Sequence, residues 1–68
     1  MRYAIVIEKG ENNYSAYAPD LPGCVAAAET LPELKTLMAE AIRMHIDGMV
    51  EDGLPVPAAA SSVEYIAA

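Results

Sequence analysis

The sequence has a single cysteine, a single histidine and only four basic residues, and its aromatic side chains are four tyrosines. A lone cysteine excludes an internal disulfide framework, and no cysteine–histidine cluster suggests structural zinc. Because the tyrosines are scattered, a base-stacking platform for nucleic acid is not expected. The apolar run at residues 3–7 is too short for a membrane span or a secretion signal. We therefore expect a cytoplasmic protein.

The net charge of −6 arises from ten acidic and four basic residues. Such a surface repels a phosphate backbone, so direct nucleic-acid binding is disfavoured. It suits a basic protein partner, because electrostatic attraction between opposite charges speeds association. The alternative is that the chain is acidic only for solubility, as small proteins often are. A chain of 68 residues buries only about 60% of its unfolded surface, so its core is small. We expect self-association to add to the stability of the fold.

Three strands are predicted: residues 2–9, which are rich in β-branched and aromatic side chains, residues 14–18, where side chains alternate, and the small-residue run 24–29. A four-residue turn joins the first two strands, and Pro19, Pro22 and Gly23 form a structural turn before the third. A capping box, Thr30 to Glu33, begins a helix that ends before Gly53. Alternation at residues 61–66 predicts a fourth strand. The order β-β-β-α-β describes an α+β fold, a small antiparallel sheet with one helix on one face.

Both faces of the first strand are apolar. Tyr3, Ile5 and Ile7 point to one side, and Ala4 with Val6 points to the other. A single helix covers only one side, so Ala4 and Val6 are predicted to contact a second copy, in a dimer or a tetramer. The helix has an apolar arc of about 240°, wider than packing on one surface requires, which also favours a second contact.

Catalytic chemistry is not expected. Cys24 and His45 are the only candidate nucleophile and base of the cysteine type. Cys24 begins a strand of small residues, where it resembles a small apolar side chain, and His45 lies in the middle of the apolar helical arc. No constellation of acids from different elements suggests a magnesium site. We predict no catalytic, cofactor or metal site.

Two segments carry a family resemblance. The strand at residues 14–18, the Pro-Asp-Leu-Pro-Gly turn, the small-residue strand and the capped helix resemble the N-terminal domain of the HicB family. Residues 40–57 add a helix that ends in an acidic–Gly pair, followed by a proline-spaced extended segment. The resemblance covers residues 1 to about 62. It implies the antitoxin of a bacterial toxin–antitoxin system with a partial ribonuclease-H-like fold.

The resemblance implies a HicA-type toxin as the partner, a small basic ribonuclease that cleaves mRNA and whose active site the antitoxin covers. Ribonuclease-H enzymes carry an essential aspartate on the first strand, whereas this strand has only Glu8, so the chain is not expected to be an enzyme. Many family members carry a C-terminal DNA-binding module; here we expect a single domain, residues 1–68, without one. The alternative is an orphan HicB-like oligomeric adaptor without a toxin.

The candidate partner-binding residues fall into two groups. Asp20 in the turn either accepts a nearby backbone N–H and rigidifies the turn, or forms an exposed recognition knob together with Leu21. The polar side of the helix is either a solvated face or a surface for the basic partner. Its acidic residues are Glu33, Glu40, Asp47 and Glu51.

Overall fold

The computed structural model describes residues 2–68. Strands β1 (Val6–Lys9), β2 (Tyr14–Tyr17) and β3 (Val25–Ala28) form an antiparallel sheet in the order β1-β2-β3, and helix α1 (Leu31–Glu51) packs on one face of it. The predicted α+β class is confirmed. Strand β1 is shorter than predicted and begins at Val6, opposite Tyr17 at the end of β2. Beyond that pair the chain of β2 turns away at Pro19, which has no N–H to donate to a ladder.

The register places two rows of residues on opposite faces of the sheet. Ile7, Ala16 and Ala26 stand side by side across the strands on the face that the helix covers. Val6, Tyr17 and Val25 form the corresponding row on the other face, which we call the open face. The predicted alternation along β1, with Tyr3 and Ile5 facing the core and Val6 facing away, is therefore confirmed.

The core lies between α1 and the half of the sheet formed by β2 and β3. Leu34 and Met38, one helical turn apart, are buried against it. The strands contribute Ala16 and Ala28, whose small side chains allow the helix to approach the backbone closely. The helix does not extend over β1, so Tyr3 and Ile5 are only half-buried at the margin of the core. The buried residues are Ala16, Ala18, Leu21, Cys24, Ala28, Leu34 and Met38.

The helix is closed at both ends by local hydrogen bonds. Thr30 Oγ1 accepts the backbone N–H of Glu33 at 3.3 Å, which is one half of the predicted capping box. At the other end Gly53 has a φ of +71° and donates to the Val50 carbonyl, while Leu54 N–H donates to the Met49 carbonyl. These two bonds form a Schellman motif, which needs a left-handed residue and so favours glycine.

The Pro-Asp-Leu-Pro-Gly segment forms two consecutive β-turns that share Leu21. Leu21 N–H donates to the Ala18 carbonyl, and Cys24 N–H donates to the Leu21 carbonyl. Gly23, with φ of +85°, follows Pro22 as a type II turn requires. The alternative in which Leu21 is exposed in a recognition knob with Asp20 was wrong on this point, because the Leu21 side chain is fully buried. The double turn brings it into the core at the end of the sheet, where it cannot contact a partner.

The predicted fourth strand at residues 61–66 does not form within this chain. Residues after the helix are extended and belong to no ladder in the part of the chain that the structure describes. Asp20 binds the backbone N–H groups of Ala60 and Ser61, which ties the chain where that strand would begin. Val63 and Tyr65 lie near β1, where they line a groove of about 250 Å³ instead of pairing with it.

We expect Leu34→Ala to lower the free energy of unfolding by about 2–5 kcal/mol, because it leaves a cavity in a small core. Leu37→Ala, one turn away and 37% exposed, is the matched control and should cost clearly less. Urea unfolding of both variants measures the difference. Equal losses for the two variants would contradict the proposed location of the core.

Candidate functional site

Asp20 joins the double turn to the C-terminal segment. Its Oδ2 accepts the backbone N–H of Ala60 at 3.1 Å and that of Ser61 at 2.9 Å, and its Oδ1 accepts the Ser61 hydroxyl at 2.8 Å. Nearby, the Tyr3 hydroxyl donates to the Pro57 carbonyl at 2.6 Å. We call the Asp20 contacts the clasp. Together the four bonds hold the extended segment against the N-terminus and the turn.

The clasp stabilises the ionised form of Asp20. The Ser61 backbone N–H lowers the pKa of the carboxyl from its ordinary 3.8 most strongly, followed by the Ser61 hydroxyl. Desolvation raises the pKa, and the Ala60 N–H lowers it further. A carboxylate that accepts several hydrogen bonds holds its charge to lower pH, so the clasp is intact at neutral pH.

Asp20 accepts its hydrogen bonds from outside its own turn. Its carboxylate does accept backbone N–H groups, but from a segment 40 residues away instead of from its own turn. A basic partner side chain would compete with Ser61 for both oxygens. No local pattern predicts this pairing, because Asp20 and Ser61 come together only through the course of the whole chain.

The acidic residues of the helix form one exposed stripe on its outer side. Glu33, Glu40, Asp47 and Glu51 are all exposed and extend over about 27 Å of helix. The structure therefore places these four predicted residues together, on the side away from the sheet. Asp20 is not part of the stripe, because it lies in the turn and is engaged by the C-terminal segment.

Exposed apolar side chains lie beside the stripe. Leu37 and Met44 are 37% and 73% exposed, with half-buried Ala41 between them on the same flank of α1. Next to Met44, a shallow groove of about 360 Å³ separates the helix from residues 23–25, and His45 lines it. Sequence reasoning assigned these side chains to the wide apolar arc but did not identify the groove, which depends on how far the helix stands from β3.

Cys24 and His45 both line this groove, but their chemistry does not suit nucleophilic catalysis. Burial raises the pKa of the Cys24 thiol, which disfavours the thiolate that attacks substrates. Cys24 is a buried core residue, as predicted. Half-buried His45 lies at the edge of the groove, consistent with its predicted place in the core or at an interface.

No helix or strand of residues 2–68 forms a layer over the open face. Tyr17 and Val25 are exposed on it, and Val6 and Ala4 are half-buried. In residues 2–68 no group of three or more histidine, cysteine, aspartate or glutamate side chains is arranged to hold a metal ion. Over the same residues, no helix combines the length and apolarity that a transmembrane span requires.

Comparison with known proteins defines the family. A family model described as the HicB-like antitoxin of bacterial toxin–antitoxin systems matches residues 3–68. The chain belongs to this family of HicB-like antitoxins. Because the family consists of antitoxins, the expectation that the chain is not an enzyme is confirmed.

Individual relatives agree with this assignment. The chain is 42% identical over 66 residues to an uncharacterized 14.9 kDa protein of Haemophilus phage HP1, a match that covers 97% of the chain and 50% of the phage protein. It therefore spans half the length of that relative. It is also 45% identical over 56 residues to a UPF0150 protein of Archaeoglobus fulgidus, covering 78% of the chain and 81% of the relative.

One solved structure has the same fold. A chain of a HicA3 and HicB3 toxin–antitoxin complex superposes with a TM-score of 0.75 at 30% identity, covering 88% of this chain and 70% of the other. The likeness includes most of the sheet and helix described above. It supports the predicted HicB-like architecture.

The clasp predicts a specific pH response. Because the folded-state pKa of Asp20 lies below 3.8, the clasp contributes stability above that pH, and the contribution is lost as pH falls through the folded-state pKa. We expect the NMR amide shifts of Ala60 and Ser61 to change together in that acid range. Asp20→Asn should remove the transition, whereas Glu64→Gln should leave it. Amide shifts that titrate equally in Asp20→Asn would contradict the clasp.

Proposed function

We propose that the chain is an antitoxin that binds a HicA-type toxin and blocks it by covering the toxin's active site and RNA-binding surface. The observation that carries this proposal is the match to a chain of a toxin–antitoxin complex, together with the family assignment. Since the toxin is expected to act on mRNA, we place this complex in the cytoplasm.

The charge distribution supports a protein partner with a basic surface. The acidic stripe is exposed, with Arg43 beside Glu40 and Asp47 as the basic residue next to it, and the helix that bears it is fixed at both ends by its caps. A basic surface that binds RNA phosphates has the opposite field, and opposite fields speed association. We propose that the stripe, residues Glu33, Glu40, Asp47 and Glu51, faces the toxin.

The open face is proposed as the surface for self-association. Its row of Val6, Tyr17 and Val25 is uncharged and mainly apolar, the neighbouring row is Glu8, Ser15 and Ala27, and the helix lies on the opposite side of the sheet. A second copy that packs on this face would remove these side chains from water. Ala4 lies next to Val6 on the chain and would be covered as well. Because the two surfaces are on opposite sides, the chain could bind a second copy and the toxin at once.

Charge reversal tests the role of the stripe. We expect the variant Glu40→Lys, Asp47→Lys to associate with the toxin about tenfold more slowly at low salt and to lose most of its salt dependence, because steering depends on the summed field. Dissociation should change less, since it depends on the buried apolar contacts. Stopped-flow kinetics at two salt concentrations measure both rates.

The matched control for charge is Glu11→Lys, Glu64→Lys: Glu11 lies in the turn between β1 and β2, Glu64 lies in the C-terminal segment, and both are exposed. It changes the net charge equally but leaves the stripe intact, so it should slow association less. An equal effect of the two variants would show that only net charge matters and that the stripe is a solvated face.

A charge on the open face should disrupt self-association. We expect Tyr17→Asp to shift the chain towards the monomer in sedimentation velocity, because the row centred on Tyr17 would have to bury a carboxylate. The control is Val50→Asp, which adds the same charge at an exposed apolar position on the helix. A wild-type chain that is a folded monomer at micromolar concentration would refute the proposed interface.

A further inference from the structure

The exposed flank of α1 combines an apolar centre with an acidic border. Leu37 and Met44 are the exposed apolar residues, separated by two helical turns with Ala41 between them. On a helix, residues three or four positions apart are neighbours. Glu33 and Glu40 are therefore adjacent to Leu37, and Glu40 and Asp47 are adjacent to Met44. Each apolar side chain is bordered by two carboxylates.

The groove gives this flank a concave part. It lies between the helix and residues 23–25, is lined by Ala41, Met44 and His45, and has a volume of about 360 Å³, enough to accept side chains of a partner. Its other wall is the end of the double turn, which Gly23 and the turn hydrogen bonds hold in place. A rigid wall of this kind needs little rearrangement on binding, which limits the ordering cost of the complex.

We propose that this flank and groove form the docking centre for the toxin, and that the partner surface which fits it is an apolar side-chain cluster surrounded by lysine or arginine. The inference rests on the proposed function, and it identifies the contacts that supply most of the binding free energy. Exposed ion pairs contribute only about 0–1 kcal/mol each, whereas desolvated apolar contacts near the middle of an interface carry most of the affinity. The acidic stripe steers the partner, and Met44 with Leu37 holds it.

Charge complementarity favours the toxin over a second copy as the occupant. A second copy that packed flank to flank would bring two acidic borders together, and like charges at an interface oppose association. The open face presents a smaller obstacle, because its row of Val6, Tyr17 and Val25 is uncharged and Glu8, beside Ser15, is the one charged strand residue on that face. The two surfaces therefore suit different partners.

The substitution Met44→Glu separates the apolar contribution from the electrostatic one. The position is 73% exposed, so the change should leave folding intact, which circular dichroism can check. If docking were electrostatic alone, one more carboxylate would speed association with a basic partner and tighten binding. If Met44 is held in an apolar contact, we expect the Kd for a catalytically inactive variant of a HicA-type toxin to rise at least about tenfold through faster dissociation.

The matched control is Val50→Glu, which adds the same charge at a position 63% exposed, on the opposite flank of the helix. It should leave dissociation unchanged. If the wild-type chain does not bind the toxin, the proposed function fails, and this inference fails with it. If the wild type binds and Met44→Glu binds equally well or more tightly, only the docking centre is refuted. A change in oligomeric state with unchanged toxin binding would show instead that a second copy occupies the flank.

Discussion

The structure depends on one packing contact, that of a single helix against two of three strands. Leu34 and Met38 are buried against strands of small side chains, and this contact supplies the middle of a seven-residue core. The helix is too narrow to cover β1 and lies on only one face of the sheet. In residues 2–68, two surfaces therefore stay uncovered: the open face and the exposed flank of the helix. In a family of antitoxins, these are surfaces available to partners.

The clasp and the Tyr3–Pro57 hydrogen bond hold parts of the chain against which the helix does not pack. Asp20, Tyr3 and the C-terminal segment are joined by hydrogen bonds between parts of the chain that no helix or strand connects. This arrangement attaches the double turn at two points: Leu21 is buried in the core, and Asp20 is hydrogen-bonded to the C-terminal segment. The same turn forms one wall of the helical groove. A feature that stabilises the fold therefore also shapes the proposed docking centre.

The parts of the fold that local chemistry determines could be predicted from the sequence. Thr30 and Gly53 fix the ends of the helix, and the Pro-Gly pair fixes the turn, because each acts on its immediate neighbours. Leu21 was misassigned because a double turn has no side-chain period from which burial can be inferred. The fourth strand was predicted from alternation alone, which cannot reveal that a distant carboxylate holds the start of the segment. The acidic stripe was recognisable because helical periodicity is regular; the groove was not, because it depends on tertiary spacing.

If the exposed flank of α1 is the docking centre, toxin binding changes the surroundings of that flank and not those of the core behind it. Methionine methyl groups report on this directly, because Met38 is buried behind the flank and Met44 is exposed on it. In an NMR titration of the methyl-labelled chain with inactivated toxin, we expect a large shift of the Met44 signal and little change at Met38. Saturating toxin that leaves the Met44 signal in place, while resonances of the open face or the C-terminal segment move, would contradict it.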